Sequence, residues 1–236
     1  MCTAEAGRCL LRPLPRKPKV PYAAGPWAGK TAFEIPILHK PAGYECSQKP
    51  SAWPSVLLLL PPPIRQRAVQ SVGRLDVDTT GLLLLTDDGG LIHRFTSPKR
   101  HLSKVYVVTV ADALAGDEAA KLRAGVLLDD DPRPAIAADC QATGSHCLRM
   151  SLTEGRYHQV KRMLGALGHR VTALHRSQFG ALQLPADLPA GQWRWLPGPE
   201  VIWGDAMASG QLAHACFSRL RPSRHRTGLC ADDRQF

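Results

Sequence analysis

The sequence predicts an α+β domain built on a mixed sheet. Three observations carry that expectation. Short runs with strand character recur at residues 35–40, 81–86, 104–110 and 147–152. Segments with helical spacing separate them, chiefly residues 117–125 and 157–167. Hydrophobic residues make up 44% of the 236, enough for one sizeable domain or two small lobes with a real core.

Taken in order, residues 1–30 are rich in Pro, Gly, Arg and Lys. The run Arg12-Pro13-Leu14-Pro15-Arg16-Lys17-Pro18-Lys19 disfavours both helix and central strand, so this part reads as a basic, mostly disordered arm. It is either a solvated tail or a phosphate-binding arm. The folded domain is expected over residues 31–205. Its first strand, residues 35–40, is stopped by Pro41. Residues 51–60 read as a short helix that Pro61-Pro62-Pro63 ends. Residues 68–75 alternate apolar and polar, as a strand leading to Asp76 would. The four leucines 82–85 stop at Asp87-Asp88-Gly89-Gly90, a length that fits a buried strand rather than a helix. Residues 91–95 have helical spacing and close at Ser97-Pro98.

Residues 104–110 form a clear β run. On a strand Lys104, Tyr106 and Val108 share one face, and Val105, Val107 and Thr109 the other. A helix is expected over 117–125, a turn at 129–132, and strands at 135–138 and 147–152. Over 157–167 a helix places Val160, Met163, Leu164 and Leu167 on one stripe. Lys161 then lies about 100° from Val160 and Arg162 about 200°, so Lys161 flanks the buried stripe and Arg162 faces away. Gly168 caps this helix. Strands follow at 169–174, 180–184 and 192–195. Past residue 204 the pattern weakens, and residues 206–236 read as a basic tail with Arg219, Arg221, Arg224 and Arg226.

Composition narrows the partners. The formal net charge is +10, which favours a polyanion, either nucleic acid or an anionic membrane surface. No apolar run approaches the roughly 20 residues of a membrane span. Arg8 and Arg12 are followed by no sustained apolar segment, so no secretory signal is expected. The seven cysteines are odd in number and include no Cys-x-x-Cys, which fits a reduced cytoplasmic chain. Cys140, His146 and Cys147 lack a fourth ligand, so no metal site is expected.

The chemistry concentrates in Gly73-Arg74-Leu75-Asp76-Val77-Asp78-Thr79-Thr80-Gly81. Two carboxylates, two hydroxyls and an arginine lie between two glycines, immediately before the leucine strand. A polar loop pinned to a buried strand holds its side chains rigidly while staying open to a ligand. On spacing alone, Asp76 and Asp78 are either turn formers bonded to nearby amides or a reactive pair.

Gly73-Arg74-Leu75-Asp76 with Thr80-Gly81-Leu82-Leu83 resembles the active-site signature of the ribosomal pseudouridine synthases, in particular the small-subunit pseudouridine synthase A family. Two further blocks are similar to that family in the same order. They are Lys104-Val105-Tyr106-Val107-Val108 and Glu154-Gly155-Arg156-Tyr157-His158-Gln159-Val160-Lys161-Arg162-Met163. The opening Lys40-Pro41-Ala42-Gly43-Tyr44 also fits, and the resemblance runs from about residue 35 to about residue 196.

The resemblance implies a long mixed, largely antiparallel sheet in two halves, flanked by helices, with a basic cleft between them. It implies an isomerase of RNA. The N-glycosidic bond of a uridine breaks, the uracil turns, and it rejoins the ribose through C5. No redox step or group donor is involved, so no cofactor is expected. Asp76 would attack the ribose C1′ or take a proton from the ribose, and the sequence leaves both routes open. Either role uses the ionised carboxylate, which a neighbouring cation favours. Lys161 stands where the family often has arginine and is the expected ion-pair partner, with Arg162 second. Tyr106 is either a core tyrosine or the platform stacked on the target base. Arg74 would fill the space the uridine vacates or hold a phosphate. Lys99, Arg100, Lys104, Arg156 and Arg162 are the expected backbone contacts. Many relatives carry a small RNA-binding domain ahead of the catalytic one, and residues 1–30 are too short to hold it. The expected partner is ribosomal RNA or a ribosomal subunit precursor, met by a monomer. The small-subunit RNA is favoured, and the large-subunit RNA stays open. The alternative is a non-catalytic RNA-binding or ribosome-assembly protein using the same cleft. Asp76 discriminates, because binding alone has no need of a carboxylate aimed at anionic RNA.

Overall fold

A computed structural model describes residues 35–97, 100–129, 131–196, 198 and 200–203. The expected arm 1–30, the tail 206–236 and Lys99 lie outside the described residues.

The leucine run forms β3 (Thr80–Thr86) and is buried on both faces. Leu82 and Leu84 pack with Ile37, Leu91 and Phe95, while Leu83 and Leu85 pack with Leu38, Val56 and Ile64. A strand covered on both sides reads as a continuous apolar run, which is why it lacks alternation. Antiparallel to β3 lies β1 (Pro36–Lys40), and beyond it β11 (Trp193–Trp195). The short β2 (Gln70–Ser71) pairs with the far end of β3. On the other side, β9 (Val171–Phe179) runs parallel to β3 through Thr80↔His175 and Gly81↔Arg176. Then come β4 (Lys104–Val110), β8 (Cys147–Leu152) and β7 (Asp139–Gly144), each antiparallel to its neighbour, giving the order β11-β1-β3-β9-β4-β8-β7. β10 (Leu182–Gln183) folds back on β9. The sheet is mixed and largely antiparallel. Its two halves meet at the β3–β9 seam, the parallel pairing among the described strands.

Gly81 makes the seam possible. Its φ is +111°, and a Cβ there would come 2.2 Å from the backbone oxygen of Arg176. Only glycine allows both the conformation and the close approach.

Few helices flank the sheet. α1 (Pro62–Arg65) packs Ile64 on one face of the β3 half, and α2 (Gly89–Thr96) packs Leu91 and Phe95 on the other. Asp88 caps α2 by accepting from the N–H groups of Gly90 and Leu91. α3 (Glu118–Ala124) and α4 (Gln159–Gly165) bury Leu122, Val160, Met163 and Leu164 against β4, β8 and β9. A separate hairpin pairs β5 (Val126–Leu128) with β6 (Asp131–Ala135), and α5 (Glu200–Trp203) follows β11.

Several local expectations are corrected. The helix expected over 51–60 is a 3-10 turn at Val56–Leu59, and the prolines open α1 instead of ending a helix. Proline suits the first helical position, where its missing N–H leaves no bond unmade. The strand expected over 68–75 shrinks to β2, because Ala68 takes φ 55° and Gly73 φ 70°, so a loop delivers Asp76. On β4 the register shifts between Val105 and Tyr106. Val105 and Val108 are both buried and Val107 is 38% exposed, so simple alternation fails there. The turn expected at 129–132 gives way to the β5–β6 hairpin, and the strand expected at 135–138 is not found there: β6 ends at Ala135, residues 136–138 are a connection, and the next strand, unforeseen from the sequence, is β7. Residues 141–144 of β7 are exposed, so no apolar alternation marks it. The strand expected over 169–174 continues to Phe179 as β9. The helix expected over 157–167 is regular only over α4. Its last turn closes at Gly168 (φ +86°), with Gly168 N–H donating to Gly165 O and His169 N–H to Leu164 O, both at 2.9 Å.

Candidate active site

The loop between the Gly73 bend and β3 is held from below by Lys40. This side chain is fully buried, and its Nζ donates to the carbonyls of Pro41 (3.1 Å), Val77 (3.1 Å) and Thr79 (2.8 Å). Burying an ammonium is unfavourable unless its hydrogens are bonded, and three carbonyls meet that need. Burial pulls the Lys40 pKa below the ordinary lysine value, against the opposing charges of Cys46, Asp78 and Asp76. Gly43 N–H donates to Val77 O (2.8 Å), and Thr79 N–H donates to Asp76 O (3.1 Å), completing the loop's backbone restraints.

Over this loop sits α4. Its buried stripe, Val160, Met163 and Leu164, anchors it to the β4 half and leaves Lys161 at the cleft. Lys161 Nζ lies 3.3 Å from Asp76 Oδ2, and donates to Asp78 at 2.6 and 2.9 Å. Burial lowers the Lys161 pKa, but the bond to Asp78 and the charges of Asp76 and Asp78 outweigh it and hold the group above the ordinary value. Burial likewise opposes ionisation of Asp78, yet Lys161 brings its carboxyl below the usual range. His158 Nε2 stands 3.2 Å from Asp76 Oδ1. That histidine occupies the left-handed region (φ 46°) one residue before α4, a conformation costing roughly 1–2 kcal/mol outside glycine. Gln159, nearly fully buried, donates to Glu154 (2.7 Å) and accepts from Arg156 N–H (2.9 Å), which fixes the turn that presents His158.

These groups open on a cavity of about 220 Å³, lined among others by Arg74, Asp76, Lys104, Tyr106, Glu154 and His158. That is room for one extruded nucleobase, not for a folded duplex. Tyr106 is half-buried and packs against the hydrophobic clusters of both sheet halves. Lys104 lies 5.8 Å from the centre of the Phe179 ring, and burial together with the Arg176 charge lowers its pKa.

The expected site residues thus fall into groups. Asp76, Tyr106, Lys104 and Arg74 share the cavity, and Lys161 reaches Asp76 from α4. Arg74 is exposed, Arg100 is exposed away from the cavity wall, and Arg162 donates to Tyr157 O (3.2 Å). Arg156 lines the cavity, but its guanidinium is engaged. It donates to Arg133 O (2.7 Å) and Pro134 O (3.1 Å) and pairs with Asp131 and Glu154, bracketing β6 to the turn before α4. Sequence reasoning missed Asp78 as the tighter partner of Lys161, His158 as the second contact of Asp76, Lys40 as the strut, and Arg176 on the cavity wall. His158 and Lys40 lay inside recognisable blocks, yet nothing in those blocks says which side chain turns inward.

A carboxylate held between an ammonium and an imidazole, at the wall of a base-sized cavity, can act as a nucleophile or a base. Residues 34–166 match the family described as RNA pseudouridylate synthase. The ribosomal small subunit pseudouridine synthase A of Salmonella typhimurium (strain LT2) is 41% identical over 182 residues, covering 77% of this chain and 78% of that protein. The protein of the same description from Escherichia coli (strain K12) is 40% identical over the same shares of both chains. A crystal structure of a pseudouridylate synthase superposes with a TM-score of 0.67 at 40% identity, covering 71% of this chain and 72% of that one. With more than half of the chain matched, and the matched stretch carrying the Asp76 loop, Tyr106 and Lys161, the chain belongs to the RNA pseudouridylate synthase family.

Proposed function

We propose that this chain converts one uridine of small-subunit ribosomal RNA to pseudouridine, with Asp76 as the reacting carboxylate. Support for the substrate comes from relatives about 40% identical that are described as ribosomal small subunit pseudouridine synthase A. The observation that carries the chemistry is the contact between Asp76 and Lys161 at the cavity. The target uridine leaves its stack, at a cost of a few kcal/mol, and enters the cavity beside Tyr106. Stacking on that ring returns roughly 1–3 kcal/mol. Asp76 then attacks C1′ or removes a ribose proton. The N1–C1′ bond breaks with its electron pair on the uracil, the ring turns, and C5 bonds to C1′ as the Asp76–C1′ bond breaks or the ribose proton is returned; the C5 proton then leaves, N1 takes up one proton, and the Asp76 carboxylate is regenerated. Lys161, 3.3 Å away, orients the Asp76 carboxylate. Atoms are conserved and no electrons are exchanged, so the reaction draws on no redox or group-transfer cofactor. Arg74 fills the space the uridine vacates or holds a phosphate, and Lys99, Arg100, Lys104 and Arg162 meet the backbone. The partner is the small-subunit RNA or its precursor particle, met by a monomer in the cytoplasm, where that RNA is assembled.

The test is release of tritium from rRNA labelled at uridine C5. Asp76→Asn should reduce release to background while rRNA affinity stays equal or improves. Unchanged release would remove Asp76 from its role. Mapping pseudouridines in both rRNAs of a deletion strain identifies the target, and a missing large-subunit modification would overturn the small-subunit assignment.

A further inference from the structure

The cavity has one wall that the proposed chemistry leaves unused. Arg176, on β9, lines it and is only 2% exposed. Its Nε donates to Leu82 O (2.8 Å) across the seam, and its Cζ lies 5.4 Å from the centre of the Phe179 ring. Its Nη2 is buried and has no hydrogen-bond partner. Thr79 Oγ1, on the wall of the same cavity and 1% exposed, is also without one. An unpaired buried guanidinium hydrogen is expensive, and charged donors are the least tolerable to leave unmade. Two residues lining one cavity each carry such an unmet polar atom, which points to a ligand that completes them. A phosphate is the wrong ligand for this depth, because the RNA backbone stays outside while the extruded base enters.

We infer that Arg176 is a specificity-determining residue that donates a hydrogen bond from Nη2 to a carbonyl oxygen of the target uracil. The inference rests on the proposed function. When the N1–C1′ bond breaks, its electron pair remains on the uracil and spreads onto O2 and O4. A fixed cationic donor at one of these oxygens strengthens as that charge develops, which is where binding accelerates a reaction. Lys104, across the β4–β9 pairing and also on the wall, adds a second positive charge beside the ring. If the donor meets O4, the same geometry rejects cytosine. Its 4-amino group would present hydrogens to hydrogens and leave the guanidinium unpaired.

The experiment uses the full chain and the rRNA fragment that it modifies, with the target uridine replaced by 2-thiouridine or 4-thiouridine. Sulfur is a poor hydrogen-bond acceptor. The unaltered chain should process one of the two thio-substituted RNAs roughly tenfold to a hundredfold more slowly than uridine, the range for a hydrogen bond to a charged group, and that position identifies the oxygen. In Arg176→Gln, kcat on uridine should fall with little change in KM, and the penalty for sulfur should shrink to near unity. Arg176→Lys, which keeps the charge, should recover part of kcat. If the unaltered chain turns over both thio-substituted RNAs at the uridine rate, the inference is wrong. It is equally wrong if Arg176→Gln slows uridine and thiouridine by the same factor, since a purely structural arginine would do that. Should Arg176→Gln fail to fold, the comparison in the unaltered chain still decides. A chain that modifies no uridine at all would defeat the proposed function instead, a separate outcome.

Discussion

Lys161 lies between two carboxylates, and distance and exposure rank them differently. Asp78 is nearer, at 2.6 Å, but its side chain is 69% exposed; Asp76 stands at 3.3 Å with 28% exposed. Water and salt screen the exposed pair, which is worth about 1 kcal/mol or less. The half-sheltered pair matters more, below the roughly 3–5 kcal/mol of a fully buried one. Lys161→Met is therefore expected to lower the isomerisation rate about tenfold to a hundredfold, corresponding to roughly 1.4–2.8 kcal/mol. Asp78→Asn should cost less than about fivefold. The sign with pH follows from the raised Lys161 pKa. Its contribution is complete below the ordinary lysine value near 10.5 and fades only as pH rises through the higher folded value. The parent should thus show no alkaline loss from this group between about pH 7 and 10. In Lys161→Met, Asp78 loses the cation that holds its carboxyl below the usual range, so the titration of Asp78 should move to higher pH. Matching rates and profiles in parent and variant would show that the ion pair has no part in the reaction.

At the scale of elements, the site is assembled where three pieces meet: the loop before β3, the β3–β9 seam, and the turn leading into α4. Gly81 holds the first two together. In Gly81→Ala the new methyl would meet the Arg176 backbone at 2.2 Å in a φ that disfavours L side chains. Overpacking and strain together should destabilise the chain by about 3 kcal/mol or more, seen as a lower denaturant midpoint and loss of activity. A variant as stable and active as the parent would mean that the seam tolerates separation. Sequence periodicity located β3, β4, α2 and the buried stripe of α4, because each places apolar side chains at the spacing of its own geometry. It did not locate β7, whose outer residues face water, nor the breaks on either side of β2, where backbone turns at Ala68 and Gly73 override an alternating pattern.

For the whole molecule, charge is distributed unevenly. Residues 1–30 carry +5 of the +10 net charge and residues 206–236 carry +3, leaving +2 on residues 31–205. Residues 31–205 are therefore nearly balanced, and most of the net positive charge is concentrated at the two ends. Replacing Arg12, Arg16, Lys17 and Lys19 together by Ser should weaken rRNA binding and flatten its salt dependence. For every phosphate no longer neutralised, the slope should shrink by about 0.7–0.9, with kcat at saturating RNA unchanged. Binding measured between about 50 and 200 mM salt checks this. A slope identical to the parent's would mean that the basic arm neutralises no phosphate.

The sequence by itself determined the α+β character from the periodicity of its elements, and the reaction class from three ordered blocks that resemble a known family; the carboxylate loop ahead of the leucine strand marked Asp76 as the candidate acid. Only the tertiary structure decided which groups surround that acid. Lys40, His158, Asp78 and Arg176 lie 36, 82, 2 and 100 positions from Asp76 in the chain. Of these, only Asp78 is a near neighbour in sequence, and even its bond to Lys161 spans 83 positions. Such contacts depend on strand register and on how closely two backbones approach at a glycine, and neither leaves a periodic trace in the residues themselves.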